Sequence, residues 1–180
     1  MTSPERSIEI AVRTHSIGHL FNSFDPSPFR EKDLDAGVED FLVSWVRELP
    51  VAAPFTIIVH LPADEAAKPD AAGIGEAFAH YFEYRAEASV RELRELFRIG
   101  RRSLAIGLAV LVACLTASQI APAFIPNRVA AGVLEESLII VGWVANWRPI
   151  EIYLYDWLPI QRRIRLYRRI AAATVQLREG

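Results

Sequence analysis

SLAIGLAVLVACLTASQIAPA, residues 103–123, carries no charged side chain. A bilayer core requires roughly 20 apolar residues per helix, and this run meets that length. VAAGVLEESLIIVGWVANW, residues 129–147, is a second apolar run, charged only at Glu135 and Glu136. The intervening APAFIPNR holds two prolines and one arginine, so it is read as a sharp turn. The two runs together predict a transmembrane helical hairpin. The competing reading is a water-soluble protein with two buried core helices.

Basic residues set the orientation. Arg98, Arg101 and Arg102 precede the first run, and Arg148, Arg162, Arg163, Arg165, Arg168 and Arg169 follow the second. The turn has only Arg128. Both termini are therefore expected in the cytoplasm and the short turn outside. Of 20 basic residues only Lys32 and Lys68 are lysine, leaving 18 arginines. That coding bias points to a GC-rich bacterial genome, so the expected membrane is the bacterial inner membrane. The start, MTSPERSIEI, lacks the basic region, apolar core and cleavage site of a signal peptide.

Outside the hairpin the periodicity changes. Ser7 to Arg13 alternates, with Ile8, Ile10 and Val12 on one face, and Phe55 to Leu61 repeats the pattern. Thr174 to Arg178 alternates more weakly, with Val175 and Leu177 expected inward. Between the first two strands, Val38, Phe41, Leu42, Trp45, Val46 and Leu49 fall on one helical face, with Asp35 placed to cap it. Strand, helix, strand favours parallel pairing. A third strand from the C-terminus would tie both ends of the chain into one sheet. The fold class is then an α+β membrane protein: a transmembrane hairpin inserted in a small cytoplasmic strand-helix-strand domain completed by a C-terminal strand. The expected boundaries are 1–68 for the α/β domain, 70–100 for a long amphipathic helix, 101–148 for the hairpin, and 149–180 for a basic juxtamembrane helix and the last strand.

In the amphipathic helix, Ile74, Phe78, Tyr81, Phe82, Ala86, Val90, Leu93 and Leu96 or Phe97 mark the packing side, and Gly100 is a weak point. PADEAAKPDAAG, ahead of it, reads as a linker. Pro149 and Pro159 should interrupt the helix after the hairpin. Tyr153, Tyr155 and Trp157 there suit the headgroup level.

FNSFDPSPFREKDLD at 21–35, FEYRAEASVRELRELFRIGRRSLAIGLAVL at 82–111 and GWVANWRPIEIYLYDWLPIQRRIRLYRR at 142–169 resemble a family of bacterial inner-membrane proteins with a two-helix hairpin and a small cytoplasmic domain. The resemblance implies that architecture and no activity, substrate or catalytic residue.

Several groups are candidates for function. The loop holding Asp25, Ser27, Phe29, Arg30 and Asp33 joins a parallel strand to its helix, where ligands and partners are often met. Phe21, Phe24 and Phe29 are expected to pin it to the core. Ala105, Ala109, Ala113, Ala117 and Ala121 form a small-residue row that lets another helix approach closely. That helix is either the second arm of the hairpin or another copy. Glu135, Glu136 and Asn146 are polar at membrane depth, as in a channel or transporter path. Arg162, Arg163, Arg165, Arg168 and Arg169 suit anionic lipid headgroups, and nucleic acid is the weaker reading of that run. Tyr167 and Trp157 could stack on bases only in that weaker reading. His15, His19 and His60, near the same sheet edge, are the metal-ligand candidates, yet they match no metal motif. Glu76, His80, Glu83 and Glu87 make a charged helical stripe, read as solvated.

No cofactor, catalytic residue or metal site is expected. The first expectation is a self-assembling membrane scaffold with an unidentified protein partner, the second a channel subunit, the third a membrane-bound metal enzyme.

Overall fold

In a computed structural model the described residues are 8–51 and 53–180. Ser7 and most of the acid-bearing start lie outside them. The chain is mostly helical with one small sheet. Its elements run β1 (Ile8–Arg13), α1 (Ala36–Glu48), β2 (Phe55–Leu61), α2 (Ala63–Ala66), α3 (Ile74–Phe124), α4 (Arg128–Val144), α5 (Trp147–Glu151), a π-helical turn (Ile152–Asp156), α6 (Trp157–Ala171) and β3 (Thr174–Glu179). Two compact units result: Met1–Ser89 with Arg162–Gly180, and Val90–Gln161.

The first unit is built on a three-stranded parallel sheet in the order β1-β2-β3. Ile10, Ile57 and Val175 share one register row, and Val12, Val59 and Leu177 the next. That face carries the core, because Ile10, Ile57 and Val59 are at most 1% exposed. Leu177 does not follow the expectation. It is exposed, since it lies on an edge strand near the chain end. The opposite face bears Glu9, Ala11, Arg13, Gln176 and Arg178, all exposed. Ile58 is nevertheless buried there. Arg178 reaches from β3 to Glu9 on β1, at 2.8 and 3.2 Å. It thus crosses the central strand and lays its aliphatic stem over the level of Ile58.

α1 is capped as expected. The Asp35 carboxylate accepts from the Gly37 amide at 2.8 Å, an arrangement worth about 1 kcal/mol. Its buried stripe is rotated from the expected one. Glu39, Leu42 and Val46 face inward, while Phe41 and Trp45 are largely exposed and pack on each other. Glu39 is drawn in by partners from two other helices. Tyr81 and Tyr167 donate their hydroxyls to it at 2.6 and 3.1 Å, and the Arg85 Nε at 2.9 Å. Burial first, and the Glu39 carboxylate second, raise the phenol pKa of both tyrosines, so they stay neutral donors. A fully partnered buried carboxylate of this kind fixes the register of α1, α3 and α6. Tyr167 is thus a core residue and cannot stack on bases.

PADEAAKPDAAG is not a flexible linker. It forms α2 and a 3-10 turn, with Glu65 and Ala71 buried. Ile74, Phe78, Tyr81, Phe82 and Ala86 then bury as the periodicity predicts.

In the second unit α3 runs through Gly100 without a break. A Cβ at Gly100 would stand 2.9 Å from Ile152, so the glycine serves close approach and not a bend. The seam of the hairpin follows Gly107, Cys114 and Ser118 on α3 and Ala131, Gly142 and Asn146 on the returning arm, all buried. The alanine row is not this seam: Ala105, Ala109, Ala113 and Ala117 are exposed. A four-residue repeat drifts around a helix of 3.6 residues per turn, whereas the seven-residue step from Gly107 to Cys114 stays nearly in phase. Asn146 donates its amide to the Gly107 and Gly142 carbonyls at 3.0 and 2.9 Å, bridging the arms where the returning helix breaks. Asn127 caps α4 through Val129 and Ala130. Pro149 is buried inside α5, past the break. Pro159 makes no interruption: it stands in the first turn of α6, directly after the π-helical turn.

Replacing Glu39 with Ala leaves two phenols and a guanidinium without their acceptor. It is expected to cost about 2–3 kcal/mol in denaturant unfolding of the purified chain, against about 1 for Tyr81→Phe. Gly107→Val places a Cβ 2.7 Å from the Asn146 Oδ1. Thiol labelling of the buried Cys114 in detergent should then become faster than in the wild type.

Candidate ligand clefts at the sheet edge

All three strands are parallel, so their C-terminal ends share one edge, the usual place for a ligand in such sheets. Two open clefts lie there within the first unit. One, of about 200 Å³, is lined by Ser16, Gly18, Lys32, Glu65, Lys68 and Asp70 over an aromatic floor of Phe21 and Phe29. It gathers both lysines of the chain. The other, of about 430 Å³, is lined by Arg13, Thr14, His15, His60 and Glu179.

Glu65 organises the first cleft. Its carboxylate accepts from the Ile17 amide at 3.0 Å and the Ser16 hydroxyl at 3.3 Å, and it pairs with Lys68. Lys68 first, and Ile17 second, hold the Glu65 pKa below the ordinary value, and Glu65 in turn raises that of Lys68. A hydroxyl on a carboxylate has the outline of a nucleophile with its base. Lys68 holds this carboxylate below its ordinary pKa, which weakens it as a base for that proton. The cleft therefore fits binding of a small polar group better than it fits catalysis, with Lys32 and Asp70 as its remaining charged walls.

The loop at 21–35 is closed on itself. An antiparallel bridge joins Phe21 to Leu34, and the Asn22 amide donates to the Asp33 carbonyl at 2.8 Å. Asp25 staples the interior, accepting from the Ser27 amide at 2.9 Å and the Asp33 amide at 2.7 Å. Those backbone bonds, Asp33 first, lower its pKa. Phe21 is buried and packs edge-on to Phe29, 4.8 Å between centroids. Phe24 is 92% exposed and pins nothing. Arg30 pairs with Glu76 at 3.2 Å. Of the five residues expected to meet a partner, Asp25 and the Ser27 amide are committed to the loop and Phe29 to its floor, while Arg30 and Asp33 are outward-facing.

His15 and His60 share the larger cleft, and His19 is not among its lining. No group of three His, Cys, Asp or Glu side chains able to hold a metal occurs among the described residues. His80, Glu83 and Glu87 are exposed on α3. Asn146 is committed to the hairpin seam and does not join Glu135 and Glu136, which are exposed on α4. Arg162, Arg165 and Arg168 are exposed. Arg169 is not available to a headgroup. It donates to the Pro50 and Ala53 carbonyls at 2.8 and 2.7 Å and stacks over Phe55 at 5.2 Å. Arg148 pairs with Glu151 at 3.3 Å and with Asp156 at 2.9 Å.

Comparison of the chain with known protein families, curated proteins and solved structures gives no match.

Asp25→Ala should raise amide exchange at Ser27 and Asp33 by at least tenfold and leave the sheet amides unchanged. Because its folded pKa is depressed, the loop protection due to Asp25 is present above the ordinary carboxylate value. It is lost as pH falls below ~3.8 toward the folded pKa. Exchange protection factors measured across that range report the loss.

Proposed function

We propose that the chain is a two-pass bacterial inner-membrane scaffold that assembles with copies of itself and presents a small cytoplasmic binding domain to a partner. The observation that carries this is exposure. The apolar windows of both long helices are only 17% buried. A core helix of a soluble protein hides its apolar surface, and an exposed face this large requires a partner or lipid. At ~1.5 Å per residue, an apolar stretch of about 20 residues matches a hydrocarbon core of ~30 Å.

Topology gives independent support. β3, after the hairpin, pairs with β2, before it, so the two flanks belong to one folded unit and lie on one side of any bilayer crossed between them. The arginines at 98, 101 and 102, together with those at 162, 163, 165 and 168, support a cytoplasmic location for that side by the positive-inside rule. Arg98, Arg101 and Arg102 lie within a helical turn or two of the first apolar run, where anionic headgroups would meet them. The scaffold reading is preferred to a channel because Asn146 is spent on the seam. It is preferred to a metal enzyme because the histidines are not gathered into a ligand set. The self-closed loop at 21–35 and the two clefts at the strand ends are the surfaces offered to the partner, with Arg30 and Asp33 its exposed charges.

Carbonate washing of membranes containing the full chain should leave it in the pellet. Release into the supernatant overturns the membrane reading. A photo-crosslinker at Arg30 is expected to capture one dominant partner in cells. Absence of any adduct there, with the chain in the pellet, overturns the recruitment role alone.

A further inference from the structure

The hairpin register continues toward its turn. Gly107 meets Asn146, and Gly142 meets Leu111 and Cys114. Carried forward, this antiparallel register sets Ser118 and Gln119 level with Glu135 and Glu136. Ser118 is buried and returns its hydroxyl to the Leu115 carbonyl at 2.9 Å. Thr116 and Ser137 likewise bond their own helices, at 2.7 Å each. Gln119 and Glu136 are different: both are exposed, and neither polar head is engaged by its own helix. Gln119 is one residue past the seam residue Ser118, and Glu136 is six residues before the seam residue Gly142, so each lies about a third of a turn from the seam. On antiparallel helices equal rotations point to the same flank. That flank carries a carboxamide and a carboxyl group at one depth, among the exposed Leu108, Val112, Leu115, Ile140 and Trp143.

In lipid, an acid with no partner on its own chain is a costly group, and such side chains face another helix. The pair on this flank is complementary to itself. A twofold axis along the membrane normal keeps depths equal, so the Gln119 amide of one copy meets the Glu136 carboxyl of the other, and the reverse. Two-fold contacts are reciprocal in this way, amide side chains hydrogen-bond across membrane helices, and acids within the membrane are found paired. We infer that the flank bearing Gln119 and Glu136 is a dimer interface between two copies of this chain, closed by two reciprocal Gln119–Glu136 hydrogen bonds within an apolar contact. This rests on the membrane reading and names the surface through which the scaffold assembles. The alanine row, which turns away toward the other flank, is not part of it.

The test is the monomer–dimer equilibrium of the full chain in lipid nanodiscs or bilayers, read by energy transfer between labelled copies as protein is diluted in lipid. Glu136→Leu and Gln119→Leu should each weaken the dimer at least tenfold, and the double variant should be little worse than either, because each removes the same bonds. Glu136→Gln, which keeps an acceptor and adds a donor, should hold the dimer within about threefold. Ala113→Leu, on the other flank, should leave it unchanged. A wild-type chain that is monomeric at all dilutions while pelleting with carbonate-washed membranes overturns the interface and spares the membrane reading. So does a dimer insensitive to Glu136→Leu, or one broken only by Ala113→Leu. Release by carbonate removes both.

Discussion

The pairing of β3 with β2 is the constraint on which the rest of the fold depends. Without it the sheet is two strands and one helix, too little apolar surface to stand alone. With it, the chain must leave the first unit after Ser89, form the whole apolar hairpin, and return by Arg162. The hairpin is therefore an insertion in the sequence of a folded unit whose two flanks pair in one sheet. The Glu39 carboxylate, shared by Tyr81, Arg85 and Tyr167, reinforces the same closure. Those partners come from the helix that precedes the hairpin and the helix that follows it.

The two units are held by different physics. In the first, Leu42, Ile57, Phe78 and Phe82 vanish from solvent, and the buried Glu39 and Glu65 each find partners. In the second, the inner seam is narrow, made of Gly107, Cys114, Ser118 and Gly142, and most apolar side chains point outward. Small residues bring the arms close enough for Asn146 to bridge two carbonyls. Close packing and such bonds are what associate helices in lipid, where no hydrophobic force acts between them.

The edge of the parallel sheet concentrates what polarity the first unit offers. Lys32 and Lys68 converge there with Glu65 and Asp70. The long loop at 21–35 is closed by its own hydrogen bonds and stands beside the cleft as a rigid surface. Rigid loops on a small scaffold are a common form of recognition element. In this unit, a carboxylate or hydroxyl bound to a neighbouring amide holds the backbone in place, with the charges of Arg30 and Asp33 left on the exposed side.

Much of the architecture is legible in the residues alone. Apolar length marks the two arms of the hairpin, the first free of charge and the second charged only at Glu135 and Glu136. Alternation marks three strands, because one face of each pleat meets the core, and the order strand, helix, strand gives parallel pairing. Asp35 is a readable cap. What tertiary structure decided was phase and partnership. Glu39 sits three residues before Leu42 and seven before Val46, a spacing that could have placed it on the buried stripe. Its charge argued for solvent, and only the distant Tyr81, Arg85 and Tyr167 make burial tolerable. The alanine spacing was visible, but the seam went to Gly107 and Gly142 because closest approach is settled by both helices at once. PADEAAKPDAAG carries turn formers and charges and reads as a linker. It folds because Glu65 finds the Ile17 amide across 48 positions of sequence. Local pattern follows from the chain's own geometry, whereas the identity of a polar side chain's partner depends on residues that only the fold brings near.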